Sequence, residues 1–377
     1  MITASHNPPR YNGIKFKASY GGPAMPEVTQ SIEWRLAEGL RKSKEPPVID
    51  WEEAEAHGII ERFDPMPAYL EHVRSLVDLP LIADSGLNVV IDPIYGAGRG
   101  YIKELLEKTG CNTFEIHGQM NPGFGGIHPE PIERNLQELI ETVKGGPYDV
   151  GLAMDGDADR IGAVDARGCF VDPHRIFALA LRHLVEGRGL RGEVVKTVST
   201  TQMVELLAEN YNLPLYETPV GFNHICKLML EKDILIGGEE SGGITVKGHI
   251  PEGDGILMGL LLLEIIASCG KPLHVIIDEL MYDIGRFHYG RNDLEVKAFS
   301  KKELVNRLTS HPPFRIAGLR VKGMNCKDGV KYLLEDDSWL LIRPSGTEPV
   351  LRIYAEARSE EGVFELLAWG RELAEGF

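Results

Sequence analysis

Asp149-Val150-Gly151-Leu152-Ala153-Met154-Asp155-Gly156-Asp157-Ala158-Asp159-Arg160 is the stretch on which the reading of this chain turns. Residues 149–153 form a short apolar run that fits a buried strand. The acidic part follows straight after Met154. Its three carboxylates stand at alternate positions, separated by small residues, so they can converge on one hard cation from a strand-end loop. Such oxygen ligands suit Mg²⁺ or Ca²⁺. An EF-hand is the natural rival, but it needs Gly at loop position six and Glu at twelve, where this chain has Arg160 and Ala166. A cation touched by only three side-chain carboxylates keeps room for a phosphate oxygen. The bland alternative is a solvated acidic turn. The preceding buried strand and the closing Arg160 favour the metal loop.

Working outward, the strand at 149–153 is one of a series. Asn88 to Asp92 is another short apolar strand, and Gly96 to Gly110 is a Gly-rich turn entering a helix. Strand, turn, helix, strand is the rhythm of βαβ units. The rhythm restarts after Asp172-Pro173, with a helix from His174, a strand at Val194 to Val198, a helix from Thr201 to Tyr211 and a strand at Ile234 to Ile236. A long apolar helix follows Asp254. After about Gly290 the texture changes to strands around turns and a closing helix at Glu360 to Glu375. Towards the start, Pro26 to Leu40 reads as a helix, and Asp64-Pro65-Met66-Pro67 reads as a linker. The fold class expected from this rhythm is α/β: tandem related α/β domains on parallel sheets, then a smaller C-terminal α+β domain. The boundaries expected are 1–67, 68–171, 172–288 and 289–377.

Composition narrows the function. The chain has 377 residues, 43% of them hydrophobic, which is enough for real cores. Its net charge of −16 argues against nucleic-acid and anionic-membrane partners, since both repel a net anion. The five cysteines are scattered and odd in number, which fits reduced thiols in the cytoplasm. The apolar run Ile256 to Ala267 is too short to span a bilayer and contains Glu264. No signal-peptide pattern opens the chain.

Three further motifs carry chemistry. Thr3-Ala4-Ser5-His6-Asn7-Pro8-Pro9 with Gly13-Ile14-Lys15 offers Ser5 as a nucleophile, and His6 and Lys15 as groups that stabilise charge or move protons; alone, it reads as an ordinary loop. Gly237-Gly238-Glu239-Glu240-Ser241-Gly242-Gly243 presents a carboxylate and a hydroxyl on a flexible backbone, which suits vicinal sugar hydroxyls and equally well a tight acidic turn. Arg343-Pro344-Ser345-Gly346-Thr347-Glu348-Pro349 combines an Arg, hydroxyls and Gly-exposed N–H groups, the makings of a phosphate cradle; alone, a plain β-turn is the simpler reading. Two stretches are set aside. Gly96-Ala97-Gly98-Arg99-Gly100 fails the dinucleotide spacing, because Tyr101 takes the third Gly position. His249 to Asp254 hints at a metal pair, but Asp254 reads better as a helix N-cap.

The four motifs, in this order, resemble the α-D-phosphohexomutase family of phosphoglucomutase, phosphomannomutase and phosphoglucosamine mutase, over nearly the whole chain. The resemblance implies three related α/β domains with mixed sheets and a smaller α+β domain, and a mutase that interconverts hexose 1-phosphate and hexose 6-phosphate through a phosphoserine and a hexose 1,6-bisphosphate. It implies that Ser5 carries the phosphoryl group, that Asp155, Asp157 and Asp159 hold Mg²⁺ with the phosphoserine oxygen, and that Arg160 lies beside that group. His6 and Lys15 match residues near the transferring phosphoryl group, with Lys15 a candidate general acid/base. Glu239 and Ser241 match the sugar-hydroxyl loop. Arg343, Ser345, Gly346 and Thr347 match the loop gripping the non-reacting phosphate. A phosphosugar partner, Mg²⁺, glucose 1,6-bisphosphate as activator, a cytoplasmic location and a possible homo-oligomer follow from the same resemblance.

Departures from the family pattern sharpen two expectations. Phosphoglucosamine mutases typically have Gln and His where this chain has Glu240 and Gly243, and Thr218 to Phe222 resembles the glucose/mannose branch, so glucose or mannose phosphates are the expected substrates. The family pattern also places on the order of 100 residues, with a Gly-Thr-x-Gly-x-Arg motif, ahead of the serine. That motif is not in this sequence, so residues 1–67 are expected to be the remnant of a first domain, with apolar faces uncovered and a loosely held serine loop. The rival from another class is a truncated, non-catalytic phosphosugar-binding or interaction protein.

Overall fold

The computed structural model describes residues 1–42, 45–295, 301–345 and 350–375. The chain opens with a loop pinned by the bridges Ile2↔Ile14 and Lys17↔Pro23. Two helices follow, α1 (Pro26–Arg41) and α2 (Trp51–Ala56). Pro26 begins α1, where its missing N–H costs no hydrogen bond. No side chain of α1 is buried, and Trp34, Leu36 and Leu40 face solvent. Helix α2 is capped by the Asp50 side chain, which accepts from the backbone of Glu52 and Glu53.

The first sheet unit runs α3 (Met66–Arg74), α4 (Leu79–Asp84), β1 (Asn88–Asp92), α5 (Tyr101–Leu106), β2 (Asn112–Glu115), α6 (Gln137–Gly145), β3 (Val150–Met154), β4 (Ile161–Asp165) and β5 (Phe170–Val171). The second runs α7 (Pro173–Arg182), β6 (Glu193–Thr197), α8 (Gln202–Asn210), β7 (Leu215–Thr218), α9 (Phe222–Glu231), β8 (Ile234–Gly238), β9 (Ile244–Val246), α10 (Gly255–Cys269) and α11 (Leu273–Ile284). Their strand orders are β2-β1-β3-β4-β5 and β7-β6-β8-β9. In each, a central strand pairs in parallel with two neighbours, and the last of these turns back into an antiparallel partner. The sheets are mixed, as the resemblance implies. The repeat also puts the turn between β3 and β4 and the turn between β8 and β9 at equivalent places. These turns are the acidic loop and the Glu-Glu-Ser loop.

Strand β3 is buried at every position, as a strand covered on both faces must be. Helix α10 is apolar all round and lies in the core between the two units, packed on α4, α7, β3 and β4. One continuous apolar cluster therefore joins the two units, from Leu70 through Leu152 and Ile236 to Phe287. Asp254 caps α10 by accepting from Leu257 N at 2.8 Å, as its sequence position suggested. Among the described residues no single helix is long and apolar enough to cross a membrane.

The C-terminal unit comprises β10 (His288–Glu295), α12 (Lys301–Ser310), β11 (Arg315–Ile316), β12 (Leu319–Asn325), β13 (Val330–Leu334), β14 (Trp339–Pro344), β15 (Val350–Ala357) and α13 (Glu360–Glu375). Its sheet is antiparallel throughout, in the order β10-β15-β14-β13-β12-β11, and it has its own apolar core with α12 and α13.

Candidate active site

The acidic loop hangs from the ends of β3 and β4. One carboxylate oxygen from each of Asp155, Asp157 and Asp159 lies within 4.8 Å of the others. Asp155 is fully buried at the strand end; its Oδ1 accepts from Arg160 N at 3.1 Å, and its Oδ2 accepts from Ser5 Oγ at 3.3 Å. Burial, with the like charges of Asp159 and Asp157, pushes the Asp155 carboxyl well above its ordinary range. Asp157 behaves oppositely: burial pushes it up, but the Lys15 ammonium and hydrogen bonds outweigh that and hold it low. Asp157 Oδ1 is buried with no hydrogen-bond partner. An all-oxygen donor set, crowded negative charge and an orphaned oxygen together fit a hard divalent cation such as Mg²⁺.

The serine loop lies directly on this acidic loop. Ser5 holds a left-handed backbone (φ 52°) and its N–H donates to Thr3 Oγ1 at 2.9 Å. Thr3 Oγ1 in turn donates to Asp157 Oδ2 at 3.1 Å. A Cβ on Gly156 would stand 2.4 Å from the Ser5 carbonyl oxygen, so glycine at 156 is what allows the two loops to touch. Lys15 Nζ donates to Asp157 at 2.8 Å and to Asp159 at 3.0 Å. The serine loop is thus tied to the acidic loop from several sides, where a loosely held segment was expected. His6 Nδ1 is 3.4 Å from Ser5 Oγ. Burial, with Arg160 and His128 nearby, lowers His6 to about 3, so it is a neutral ring at pH 7.

Arg160 spans the loop, 3.9 Å from Asp155, 3.8 Å from Asp159 and 3.6 Å from Glu130. Glu130 was not singled out by the sequence reading; nor was His128, whose ring centroid is 6.4 Å from that of His6. Both sit in a Gly- and Pro-rich stretch from Asn121 to Pro131, and that texture was the one available signal. Lys17, which pairs with Glu252, was also missed.

The Glu-Glu-Ser loop abuts the acidic loop, with Ile161 N donating to Gly242 O at 3.2 Å. Glu239 Oε1 accepts from Gly221 N at 2.8 Å. Burial and the charge of Glu240 push Glu239 up to about 7. Glu240 accepts from Ser199 Oγ at 2.8 Å, and Ser241 is half-buried on the same turn. Arg343 and Ser345 stand apart on the C-terminal sheet. Arg343 Nε donates to Asp328 Oδ2 at 2.6 Å, and Ser345 N donates to Val350 O at 2.8 Å. Gly346 and Thr347 lie outside the described residues.

Comparison with known proteins converges on one family. Models of phosphoglucomutase/phosphomannomutase domains match in order: domain I over residues 1–42, domain II over 67–168, domain III over 172–284 and the C-terminal domain over 301–368. The chain is 32% identical over 376 residues to a phosphoglucomutase/phosphomannomutase of Thermococcus kodakarensis, covering 100% of this chain and 78% of the relative. It is 31% identical over 381 residues to a phosphoglucosamine mutase of Methanocaldococcus jannaschii, covering 99% and 80%. A crystal structure of a candidate phosphomannomutase from Thermus thermophilus superposes with a TM-score of 0.85 at 35% identity, covering 100% of this chain and 78% of that one.

Proposed function

This chain belongs to the phosphoglucomutase/phosphomannomutase family, and on that premise we propose that it interconverts hexose 1-phosphate and hexose 6-phosphate through a phosphoryl group carried on Ser5. The observation that carries the reading is Ser5 Oγ lying 3.3 Å from Asp155, at the edge of three converging carboxylates. Phosphoryl transfer is mostly positioning and charge stabilisation, so a serine hydroxyl held at a cation loop is the essential geometry.

Asp155, Asp157 and Asp159 would hold Mg²⁺, which supplies positive charge against the phosphoryl oxygens. In the forward half-reaction the bond between phosphorus and Ser5 Oγ breaks and a bond to O6 of the hexose 1-phosphate forms, giving a 1,6-bisphosphate. The proton balance is a net movement from O6 to Ser5 Oγ: the leaving Oγ takes a proton from a relay group, which recovers one from O6. We assign that relay to Lys15, whose ammonium pairs with Asp157 and Asp159 beside the serine loop. Neutral His6 offers a hydrogen bond to Oγ. Arg160 balances the carboxylates and faces the phosphoryl group. Glu239 and Ser241 accept and donate to sugar hydroxyls. The bisphosphate then turns over, and Arg343, Ser345, Gly346 and Thr347 grip whichever phosphate is not reacting.

We further propose glucose or mannose phosphates as substrates, on the strength of Glu240 and Gly243 in the sugar loop; relatives of both the glucose/mannose and the glucosamine kind match this chain about equally. The test is a coupled assay of glucose 1-phosphate, mannose 1-phosphate and glucosamine 1-phosphate with Mg²⁺, primed with glucose 1,6-bisphosphate. Ser5→Ala is expected to abolish turnover, and intact-mass analysis of the native chain should find one phosphate that the variant lacks. Full mutase activity in Ser5→Ala would end the proposal.

A further inference from the structure

Asp328 lies in the turn between β12 and β13, and nothing in the sequence reading marks it. Its Oδ2 accepts two hydrogen bonds: from Arg343 Nε at 2.6 Å, within its own unit, and from Val220 N at 3.1 Å, in the second sheet unit. The next residue in the turn at 219–221 is Gly221, whose N–H is held by Glu239 Oε1 at 2.8 Å. Two successive N–H groups of one turn therefore join the sugar-loop carboxylate to the carboxylate that holds the phosphate-loop arginine. The approach is built in. Gly329 follows Asp328 with φ +86°, and a Cβ there would stand 2.4 Å from Ile342 O and 2.8 Å from Arg343 Cα. Only glycine lets the Asp328 turn lie flat on the Arg343 backbone.

We infer that Asp328 is a positioning residue. It fixes the Arg343 guanidinium through Nε and ties that orientation to the turn that holds Glu239. Arginine offers five N–H donors in a rigid fork. Asp328 occupies Nε and leaves the two Nη groups to take a phosphate bidentately. A free guanidinium on a long side chain would have to be ordered at each binding event, and Asp328 removes that cost beforehand. The link through Val220 and Gly221 makes a sugar hydroxyl on Glu239 and a phosphate on Arg343 parts of one hydrogen-bonded chain across the boundary between two units. The inference rests on the function proposed above.

The experiment is steady-state mutase kinetics with glucose 1-phosphate on the full chain, for wild type, Asp328→Asn, Asp328→Ala, Glu239→Gln and the Asp328→Asn/Glu239→Gln pair, each checked by thermal melt. Asp328→Asn keeps the shape, so it reads the role even where Asp328→Ala fails to fold. The phosphate grip acts on ground state and transition state alike, so KM should rise on the order of tenfold with kcat nearly unchanged. The double variant should raise KM by clearly less than the product of the single effects. An unchanged KM, a loss confined to kcat, or a multiplicative double variant would each overturn the inference and leave the mutase reading standing. No turnover in wild type would instead bring down the mutase reading and this inference with it.

Discussion

The side that carries Ser5 and the acidic loop and the side that carries Arg343 are built in different ways. The first rests on a single apolar cluster shared by two sheet units, with α10 through its middle. The second sits on a sheet with a separate core. It meets the second unit through polar contacts, in which Glu356 accepts from Gln202 N at 2.7 Å, Lys331 donates to Val198 O at 2.8 Å and Asp328 accepts from Val220 N, and through a small buried apolar cluster in which Val198 packs with Trp339, Leu341 and Tyr354. A large apolar core shared by two units resists their separation more strongly than a small interface of mixed apolar and polar contacts does. On the function proposed above, the phosphoryl chemistry rests on the larger shared core and the phosphate grip on a unit joined to it by the smaller contact.

The largest expected effect is on the side that carries the acidic loop. Asp155→Asn is isosteric and removes a buried charge that its neighbours disfavour. It should lower kcat on the order of 10³-fold. The thermal midpoint should hold or rise, because the like-charge crowding is relieved. Chelation should silence the wild type and added Mg²⁺ should restore it, but not the variant. A variant that loses activity only in proportion to lost stability would argue that the loop is merely structural.

Next in size is a test of the shared core. Glu264, deep in α10, accepts from His183 Nε2 at 2.8 Å, Arg188 Nε at 2.7 Å and Asp78 N at 2.7 Å. Glu264→Ala would leave the buried ends of these partners unpaired and should cost about 3–5 kcal/mol, read as a fall in the urea midpoint. Burial pushes this carboxyl up, but the bonds from His183, Arg188 and Asp78 outweigh it and hold it at about 2. The sign follows from the depressed value. The stabilisation is complete above the ordinary Glu range near 4.5 and drains away as pH falls towards 2. Acid titration of stability in wild type should show that loss, and Glu264→Gln should flatten it.

The same contrast explains what the sequence made legible. The Asp155–Asp157–Asp159 run, the Ser5 loop and the Glu239 loop stand out because a strand-end ligand loop needs unusual residues close together. The strand rhythm marked the sheets and the change of texture near Gly290. What stayed hidden was pairing at a distance. Glu130 on Arg160, Glu252 on Lys17 and Asp328 on Arg343 join residues between 15 and 235 positions apart, with no periodicity to announce them. The antiparallel return of β4 and β9 was likewise invisible in strand patterns, which set burial but not direction. The short helix α2 was missed because six residues carry too little period to read.

The smallest effect probes the smaller interface itself. Lys331 is buried on β13, 4.4 Å over the Trp339 ring and 3.3 Å from Glu217. Burial, with Lys196 nearby, lowers its ammonium to about 8 from the ordinary 10.5. Between these values the undocked or unfolded chain keeps a proton that the docked form has released. Stability should therefore rise with pH across that window, by less than about 1.4 kcal/mol per pH unit, and be flat in this contribution below it. The measurement is the urea midpoint at about pH 7.5, 8.5, 9.5 and 10.5, spanning that window, in wild type and in Lys331→Met. Methionine fills the volume without a proton to lose, so the wild-type slope minus the variant slope isolates this one group. A difference of zero or of opposite sign would mean that Lys331 keeps its charge in the docked state, held by Glu217 and Glu356, and that the interface is a fixed ion cluster.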